Sequence, residues 1–468
     1  MNNPETKKVI DRRSFLRCSA AVGAGLAFSP LGSARGRPIT VIGQTAGKPR
    51  LDRGGKEDDI NVALLGAGAQ GQVLINACLK IPGVRFKAVC DIWEEYNQKR
   101  TSRLLDRFGH KNNSYVDYQE MLANEKDLDA VIVATPDFWH AEHTIACLKA
   151  GLHVYCEKEM SNKLEDAKKM VQTAREAGKL LQIGHQRRSN PRYIHCYEKL
   201  LKDAKILGRL TTINGQWNRA AREDLGWPTK AAIDQKMLEK YGFQSMEQFR
   251  NWRWYKKLGG GPIVDLGSHQ IDIYSWFLGA NPISVMASGG TDYYDKKSHE
   301  WYDTVMAIYE YQTKEGTIRA YYQTLTTNSS WGYFERFMGD QGTLEISESG
   351  GRGEVYREPT APDWDRWVKL GYLSEPPKQE EKKEKPEEGA AVIDVRETAA
   401  PPAYKLPVTM EKLYHQPHLE NFLDAIRGKA KLNCPAEAAY ETAVTVLKVN
   451  DAVEAARKLE FKPDEFKV

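Results

Sequence analysis

The sequence predicts an α/β protein in which a doubly wound parallel sheet precedes an α+β domain with an open, largely antiparallel sheet. The 468 residues are too many for one ordinary core, so two domains are expected. Up to about residue 185, short apolar strands alternate with helical segments, as in a parallel sheet. After about residue 205, longer runs rich in β-branched and aromatic residues follow one another, as in an antiparallel sheet.

The composition is that of an average soluble protein. Hydrophobic residues make up 41% and charged residues 28% of the chain, and the formal net charge is +4. Lys and Arg are scattered among nearly as many Asp and Glu, so no basic stripe indicates nucleic acid as a partner. Outside the N-terminal segment no apolar run reaches the ~18 residues of a membrane span, and stable membrane insertion is not expected.

The first 35 residues differ from the rest of the chain. The stretch DRRSFLRCSA sets two arginines before Phe-Leu, and a run of small apolar residues, too short to span a membrane, follows at 19–28. This pattern resembles a twin-arginine export signal. We therefore predict a signal peptide at 1–35, a linker at 36–58, and a periplasmic or secreted protein that is exported folded.

A glycine-rich loop follows the first predicted strand, residues 60–65. The loop is Gly66-Ala67-Gly68-Ala69-Gln70-Gly71, an apolar-periodic helix follows it, and Asp91 ends the next strand 25 residues after Gly66. Such glycines let the backbone approach a pyrophosphate at the helix N-terminus, while the carboxylate binds a ribose 2′-hydroxyl. No arginine follows Asp91, so NAD is expected rather than NADP. A glycine turn without a ligand is the alternative.

The third predicted strand, 129–136, ends at the sheet edge where doubly wound folds bind ligands. Thr135 and Pro136 are therefore expected to border the nicotinamide. A helix is predicted to follow them, with its start near Ala141. His140 is included among the cofactor-binding residues, with a structural or capping role as the alternative. His140 and His143 lack a third matched ligand, so no metal site is predicted.

The fourth predicted strand ends in CEKEM, which brings Glu157 and Lys158 to the same edge. A lysine there can stabilise a developing alkoxide or share a proton with a substrate. We predict that both residues contact the cofactor and that Lys158 also binds substrate and takes part in catalysis. The alternative is an exposed ion pair at the end of a strand.

The second domain, 186–468, contains a long helix, beginning near Val264, with two polar groups on one face. Asp265 and His269 are four residues apart, so their side chains project together. Asp265 would orient the imidazole, and His269 would remove a hydroxyl proton as a hydride leaves the same carbon. A helix cap and a satisfied histidine are the alternative for this pair.

Two further segments of the second domain have clear patterns. Residues 374–403 are rich in Pro, Lys and Glu, which predicts a mobile surface insertion. Residues 416–457 carry helical periodicity and predict two closing helices, which could pack on either domain.

Taken together, the motifs resemble the Gfo/Idh/MocA family of nicotinamide-dependent sugar oxidoreductases over roughly residues 58–460. The matching pieces are GAGAQG, AVCDI, TPDFWH, CEKEM, IGHQRR, GGGPIVDLGSHQID and HLENFLDAIRG. The resemblance implies an NAD-binding Rossmann domain at 59–185 and a C-terminal domain whose open sheet is often used in oligomers, hence a dimer or tetramer. It also implies that Lys158, Asp265 and His269 are the catalytic residues.

The resemblance also bears on the substrate site. Arg187, in IGHQRR, falls where family members commonly line the substrate pocket. The family's proline after the lysine is Glu159 here, which makes a cis peptide costly by about 3 kcal/mol. Aromatic rings can stack on a sugar face, and we place Trp252 in the substrate site on this ground. The other candidates are Trp217, Trp254, Trp331 and Tyr333.

These observations predict an NAD-dependent oxidoreductase that acts on a sugar, polyol or glycoside hydroxyl. No pool of free NAD is expected outside the cytoplasm, so an exported enzyme would hold its cofactor tightly and restore it in each turnover. One alternative is cleavage of a glycosidic bond by oxidation, elimination and reduction, with Glu159 as an additional acid or base. Another is a sugar- or nucleotide-binding protein without catalysis.

Overall fold

The structure, a computed structural model, describes residues 59–375 and 401–468. The predicted signal peptide, the linker at 36–58 and most of the predicted insertion at 374–403 lie outside these residues. No helix in the described ranges is both long and apolar enough to cross a membrane.

The first sheet has six strands in the order β3-β2-β1-β4-β5-β6, and every neighbouring pair is parallel. This confirms the predicted doubly wound sheet. Its strands are nearly continuous apolar runs because helices cover both faces, and Val62, Ala63 and Leu64 of β1 are fully buried. The strands are β1 (Ile60–Leu65), β2 (Val84–Cys90), β3 (Asn113–Tyr115), β4 (Ala130–Val133), β5 (His153–Cys156) and β6 (Leu181–Ile183).

Five α-helices connect these strands. They are α1 (Ala69–Cys78), α2 (Lys99–Arg107), α3 (Tyr118–Asn124), α4 (Asp137–Lys149) and α5 (Leu164–Ala177). Helix α4 begins at Asp137, about one turn before the predicted start near Ala141, because the TPDFWH stretch after β4 coils directly into its first turn.

The second sheet has nine strands in the order β14-β13-β12-β11-β7-β10-β9-β8-β15. Only β7 and β10 pair in parallel, and the other neighbours are antiparallel, which confirms the predicted sheet type. The strands are β7 (Leu210–Asn218), β8 (Pro282–Gly290), β9 (Thr304–Thr313), β10 (Gly316–Leu325), β11 (Tyr333–Gly339), β12 (Gly342–Ile346), β13 (Gly353–Arg357), β14 (Ala403–Lys405) and β15 (Leu459–Glu460).

Helices cover one face of this sheet. Along β9, Tyr309 and Tyr311 are buried while the alternating Met306 and Ile308 are exposed, so one face meets the helices and the other remains open. The helices of this part of the chain are α6 (Pro191–His195), α7 (Gln235–Lys240), α8 (Met246–Arg250), α9 (Gly261–Leu278), α10 (Asp365–Lys369), α11 (Gln416–Ile426) and α12 (Ala436–Ala455).

The two closing helices join different apolar clusters. Phe422 and Leu423 of α11 join the apolar cluster formed by β1, β2 and α1. Val446 and Val449 of α12 belong instead to the cluster that includes α9 and the second sheet. The C-terminal part of the chain therefore returns to the first sheet and brings the residues just before α11 to its edge.

Candidate active site

The glycine loop between β1 and α1 leaves room for a ligand at only one of its glycines. A Cβ on Gly66, whose φ is +95°, would lie 2.6 Å from the carbonyl carbon of Ala134, and one on Gly71 would lie 2.0 Å from the oxygen of Gly66. A Cβ on Gly68 would meet only Asn97 Nδ2, at 3.9 Å. No side chain caps α1. The open space at Gly68 and the free N–H groups of α1 fit a dinucleotide pyrophosphate.

Asp91, at the end of β2, is held beside this loop. Its Oδ2 accepts a hydrogen bond from the backbone N–H of Ala67 and its Oδ1 one from Trp93, each at 2.7 Å. Burial raises the pKa of Asp91, and these hydrogen bonds oppose that effect. The carboxylate therefore has a fixed orientation next to the loop, where the adenosine ribose of a dinucleotide binds in such folds.

The residues after β4 form a buried hydrogen-bonded connection. His140 is almost fully buried, and its two ring nitrogens lie 2.7 Å from the carbonyl oxygens of Thr135 and Glu159. His143 Nδ1 lies 3.0 Å from Thr135 Oγ1. His140 thus ties the ends of β4 and β5 together, in line with its structural alternative, whereas Thr135 and Pro136 lie at the carboxyl edge of the sheet as predicted.

Neither of these histidines is arranged as a metal ligand. Within the described ranges, no group of three or more His, Cys, Asp or Glu side chains could hold a metal ion.

Lys158 and Asp265 meet across the two sheets. Lys158 Nζ lies 3.1 Å from Asp265 Oδ1 and also donates to the backbone carbonyl of Asp265, and both side chains are largely buried. Arg253 Nε lies 3.2 Å from the same Oδ1. Burial alone would raise the pKa of Asp265, but the nearby cations, Lys158 first, hold it well below its usual range. The peptide bond between Lys158 and Glu159 is cis.

His269 lies one turn further along α9 but does not pair with Asp265, which corrects the predicted Asp–His pair. The carboxylate is directed at Lys158, whereas His269 Nδ1 has no hydrogen-bond partner among the described residues. The imidazole packs against Trp217 of β7, with ring centroids 5.4 Å apart. Burial, then the charges of Lys158 and Arg187, hold the pKa of His269 well below its usual value. At neutral pH the ring is therefore an uncharged base.

Glu157 and Gln70 lie together, as expected of two residues that face one cofactor. Gln70 Nε2 donates to Glu157 Oε1 at 3.1 Å and lies 3.0 Å from His415 Nε2. Burial raises the pKa of Glu157 to about 7, although Lys158 opposes this effect. The structure thus adds His415, the residue just before α11, to the predicted set.

Glu159 points into the interior rather than toward a substrate. It is 1% exposed, its Oε1 accepts from the N–H of Met160 at 2.8 Å, and its Oε2 has no partner among the described residues. Burial raises the pKa of Glu159 to about 8. These contacts do not favour the alternative in which Glu159 serves as an additional acid or base on substrate.

Arg187 is also buried, at 1% exposure, rather than placed on an open pocket wall. It donates to Glu335 on β11 and lies 3.7 Å from Glu348 Oε2, while Tyr193 donates to the second oxygen of Glu335 at 2.7 Å. Its guanidinium lies 5.6 Å from the ring of Trp217. The turn after β6 directs Arg187 under the aromatic residues of the site, so it contacts the residues behind the site rather than an open cleft.

Trp252 belongs to a separate buried cluster with Trp93 and Phe243, which corrects its predicted place in the substrate site. Arg253 covers its ring at 4.3 Å, and a Cβ on Gly259 would lie 2.9 Å from it. A sugar therefore has no open face of Trp252 on which to stack.

Trp217 and Tyr333, by contrast, lie at the site. Their rings stack with centroids 4.5 Å apart. Arg219, which follows Trp217 by two residues and was not among the predicted site residues, lies over the Trp217 ring at 5.2 Å. Arg219 directly follows the last residue of β7, and its backbone N–H still donates to Leu325 of β10. The alternation of side chains, continued one residue past the strand, was the signal that could have identified Arg219.

Comparison with protein families gives two matches that together span most of the chain. An oxidoreductase family model described as an NAD-binding Rossmann fold matches residues 60–185, and the model of the C-terminal alpha/beta domain of the same family matches residues 207–460.

Individual relatives are more distant. The chain is 30% identical over 226 residues to 1,5-anhydro-D-fructose reductase of Ensifer adhaerens, a match covering 48% of this chain and 59% of the relative. It is 29% identical over 170 residues to a glycosyl hydrolase family 109 protein of Shewanella sp. (strain ANA-3), covering 35% and 37%. The chain thus spans only about half, or less, of the length of these relatives.

Solved structures share the fold. The WlbA dehydrogenase from Chromobacterium violaceum, solved with NADH and UDP-GlcNAcA, superposes with a TM-score of 0.62 at 19% identity, covering 87% of this chain and 97% of that one. At this identity the likeness shows the fold alone.

Proposed function

The chain belongs to the Gfo/Idh/MocA oxidoreductase family, since the two family models match most of it, and we propose that it oxidises a hydroxyl group of a sugar, polyol or glycoside with NAD. The observation that carries this proposal is the junction of Lys158, Asp265 and His269. There a cation held by a carboxylate and an uncharged imidazole lie together beside the carboxyl edge of an NAD-binding sheet.

His269 and Lys158 have different roles in the proposed oxidation. Bound NAD supplies a hydride acceptor. His269, which is uncharged, takes the hydroxyl proton of the substrate and becomes an imidazolium. The Lys158 ammonium, held by Asp265, donates a hydrogen bond to the same oxygen and stabilises the negative charge that develops there. Asp265 thus acts by positioning Lys158.

We propose NAD rather than NADP as the cofactor. A 2′-phosphate would lie beside the carboxylate of Asp91, which two backbone N–H groups already fix in place. Repulsion between two negative charges in a poorly solvated site disfavours NADP. An Asp91→Ser variant should narrow the difference in affinity between the two dinucleotides by about tenfold, the loss typical of one charged hydrogen bond.

We further propose that the protein is exported and retains its dinucleotide through turnover. The support is the twin-arginine pattern of residues 1–35, together with the expected absence of free NAD outside the cytoplasm. Purification without added nucleotide followed by denaturation tests this directly. About one NAD released per chain supports retention, and a protein that comes through purification without nucleotide refutes it.

We also propose that the protein is a homo-oligomer that associates through the open face of its second sheet. Met286, Met306 and Ile308 are 49%, 43% and 38% exposed on β8 and β9, opposite the helix-covered face. Adjacent exposed apolar side chains of this kind mark interaction surfaces. Light scattering of the purified protein should give a dimer or tetramer, and a Met286→Glu/Ile308→Glu variant should be monomeric.

Redox-assisted cleavage of a glycosidic bond is the second candidate. It is favoured by the 29% identity to a glycosyl hydrolase family 109 protein. Oxidation of a hydroxyl to a carbonyl would make the neighbouring C–H acidic, and a base would remove that proton as the aglycone leaves and a C=C bond forms. Water would then add to the C=C bond, and the carbonyl would be reduced back to the hydroxyl.

Two assays separate these candidates. The NAD-loaded protein is mixed with neutral and acidic sugars while reduced nicotinamide is recorded, and with aryl glycosides in the absence of any acceptor while phenol is recorded. Reduced nicotinamide without phenol supports simple oxidation, and phenol release supports elimination. A protein that binds sugars but gives neither signal is a binding protein without catalysis.

A further inference from the structure

Arg219 carries a charge with which no described acid forms an ion pair. Its only described side-chain contact is with the Trp217 ring, 5.2 Å from the guanidinium, and no acid within the described ranges forms an ion pair with it. The side chain is half-buried, and burial lowers the pKa of Arg219; the charge of Asp265 opposes this effect, and the cations Arg253 and Arg222 add to it. A partly desolvated cation without a counter-ion is costly, which points to an anion from outside the chain.

The pairing of β7 with α9 explains why Arg219 lies at the site. A Cβ on Gly215 would lie 2.2 Å from Tyr274 Oη, so these two residues are in contact. Two residues of a β-strand span about 6.7 Å along the strand, which is close to the ~6 Å that four residues span along a helix axis. Successive positions on one face of β7 therefore meet successive turns of α9. Trp217 packs against His269, and Arg219, the residue just past the end of β7, comes next, where its charge acts on Asp265.

Asp265 cannot neutralise Arg219 in addition to the two cations with which it already pairs. Its Oδ1 already lies 3.1 Å from Lys158 Nζ and 3.2 Å from Arg253 Nε. Burial raises the pKa of the nearby Asp137 to about 7, so this second acid is only partly ionised at neutral pH. The site thus contains three cations and one carboxylate that is fully ionised.

Arg253 is equally suited to an external anion. Its side chain is 46% exposed, and its ion pair with Asp265 is made through Nε. The guanidinium is a planar group whose several N–H donors match the two oxygens of a carboxylate or phosphate. Both arginines act on Asp265, one turn of α9 before His269, and lie on segments of the second domain rather than on the glycine loop. This position favours contact with the substrate over contact with the pyrophosphate.

We propose that Arg219 and Arg253 bind an anionic oxygen group of the substrate, so that the hydroxyl oxidised at Lys158 and His269 belongs to a sugar acid or a sugar phosphate. The proposal rests on the proposed oxidoreductase function and specifies its substrate class. The shared chemistry is a planar or tetrahedral group of negatively charged oxygens on a sugar carbon.

Calorimetry on the NAD-loaded protein tests the anion site without requiring turnover. The probes are D-glucose, D-glucuronate and D-glucose 6-phosphate, which share a ring and differ in charge at one position. The wild-type protein should bind at least one anion more tightly than glucose. Arg219→Gln should weaken binding of that anion about tenfold or more and should leave the affinity for glucose unchanged. Preference for glucuronate indicates a carboxylate, and preference for the phosphate indicates a phosphate ester.

Two further variants keep the test specific. Arg319→Gln removes an arginine from the open part of β10, where it is 65% exposed and pairs with Glu310, and should change none of the affinities. Arg219→Lys keeps the positive charge but not the planar guanidinium, and it should lose less affinity for the anion than Arg219→Gln. Circular dichroism establishes that the variants are folded.

The outcomes separate this inference from the proposed function. If neutral sugars are oxidised and bound as well as anionic ones, the anion site is refuted while the oxidoreductase function stands. If Arg219→Gln binds anions as tightly as wild type, Arg219 is not the anion ligand. If anions bind with the predicted dependence on Arg219 but no sugar is oxidised, the proposed function fails and the anion site stands.

Discussion

Lys158 Nζ lies 3.1 Å from Asp265 Oδ1, and this salt bridge connects the carboxyl edge of the parallel sheet to the N-terminal half of α9, which packs on the second sheet. The two residues are separated by 107 positions in the chain. Because the pair is largely buried, loss of one partner leaves the other charge uncompensated. The same contact therefore positions the ammonium group for chemistry and joins the two parts of the site.

Lys158→Gln should lower kcat by about 10²- to 10⁴-fold, the usual contribution of a positioned proton-transfer or charge-stabilising group. The variant should still retain NAD, because the glycine loop is untouched. Steady-state kinetics and dinucleotide release measure the two effects. Lys169→Gln is the matched control, since Lys169 is a 62% exposed lysine of α5 paired with Asp166. Equal kcat for the Lys158→Gln variant and wild type would remove Lys158 from the mechanism.

The pH profile should report the low pKa of His269. Protonation removes the free base, so activity falls as the pH drops through this pKa. Because burial and nearby cations lower the pKa, that fall should come well below pH 6.5, the usual value for histidine. His269→Gln should lower kcat/KM by about 10²- to 10⁴-fold and abolish this limb of the profile. A wild-type profile that bends at about pH 6.5 would mean an ordinary, solvated imidazole.

Gly68→Ala should separate dinucleotide binding from stability. The added Cβ meets only Asn97 Nδ2, at 3.9 Å, so the Tm of the nucleotide-free protein should be unchanged. Bound NAD needs that space, and its release on denaturation should fall to near zero. Gly71→Ala is the contrasting variant, because its Cβ would lie 2.0 Å from the Gly66 oxygen and should destabilise the fold itself. Full NAD retention by Gly68→Ala would argue against the loop as the pyrophosphate site.

Glu159→Gln should change how stability depends on pH. Burial raises the pKa of Glu159 from 4.5 to about 8, so its folded form is favoured in the protonated state. The contribution of the protonated carboxyl to the free energy of unfolding is fully present below pH 4.5 and is lost as the pH rises through about 8. The amide stays neutral, so the Tm of the variant relative to wild type should rise between pH 5 and pH 9. The corresponding gain in the free energy of unfolding is a few kcal/mol, at about 1.4 kcal/mol per pKa unit.

Glu437→Gln serves as the control for Glu159, because Glu437 is a half-exposed acid of α12 that pairs with Arg175. Its Tm difference from wild type should stay nearly constant over the same pH range. A constant difference for Glu159→Gln as well would mean that the Glu159 carboxyl is ionised in the folded protein.

Local patterns were sufficient to predict much of the fold. The strand before Gly66, the helix of the glycine motif and Asp91 directly after β2 all follow from short stretches whose periodicity and turn residues determine their structure. The helix begins at Ala69, inside the predicted loop, rather than after Gly71. Lys158 was placed correctly at the carboxyl edge because parallel strands present the same end to the same side.

Tertiary contacts account for what sequence patterns missed. Asp265 and His269 share a helical face, but the choice of Lys158 as the partner of Asp265 depends on how the two sheets meet. Arg187 was expected on the pocket wall and is buried against Glu335, 148 residues away. His415 reaches Gln70 from 345 residues further along the chain. No local pattern carries information over such separations.

The most direct test of the account is rapid mixing of the NAD-loaded protein with a substrate sugar, with the formation of reduced nicotinamide followed in a single turnover. Wild type should reduce its own bound cofactor without added nucleotide. His269→Gln should bind the sugar equally well and form reduced nicotinamide about 10²- to 10⁴-fold more slowly. Equal rates in the two proteins, or no reduction by wild type with any neutral or anionic sugar, would contradict the account.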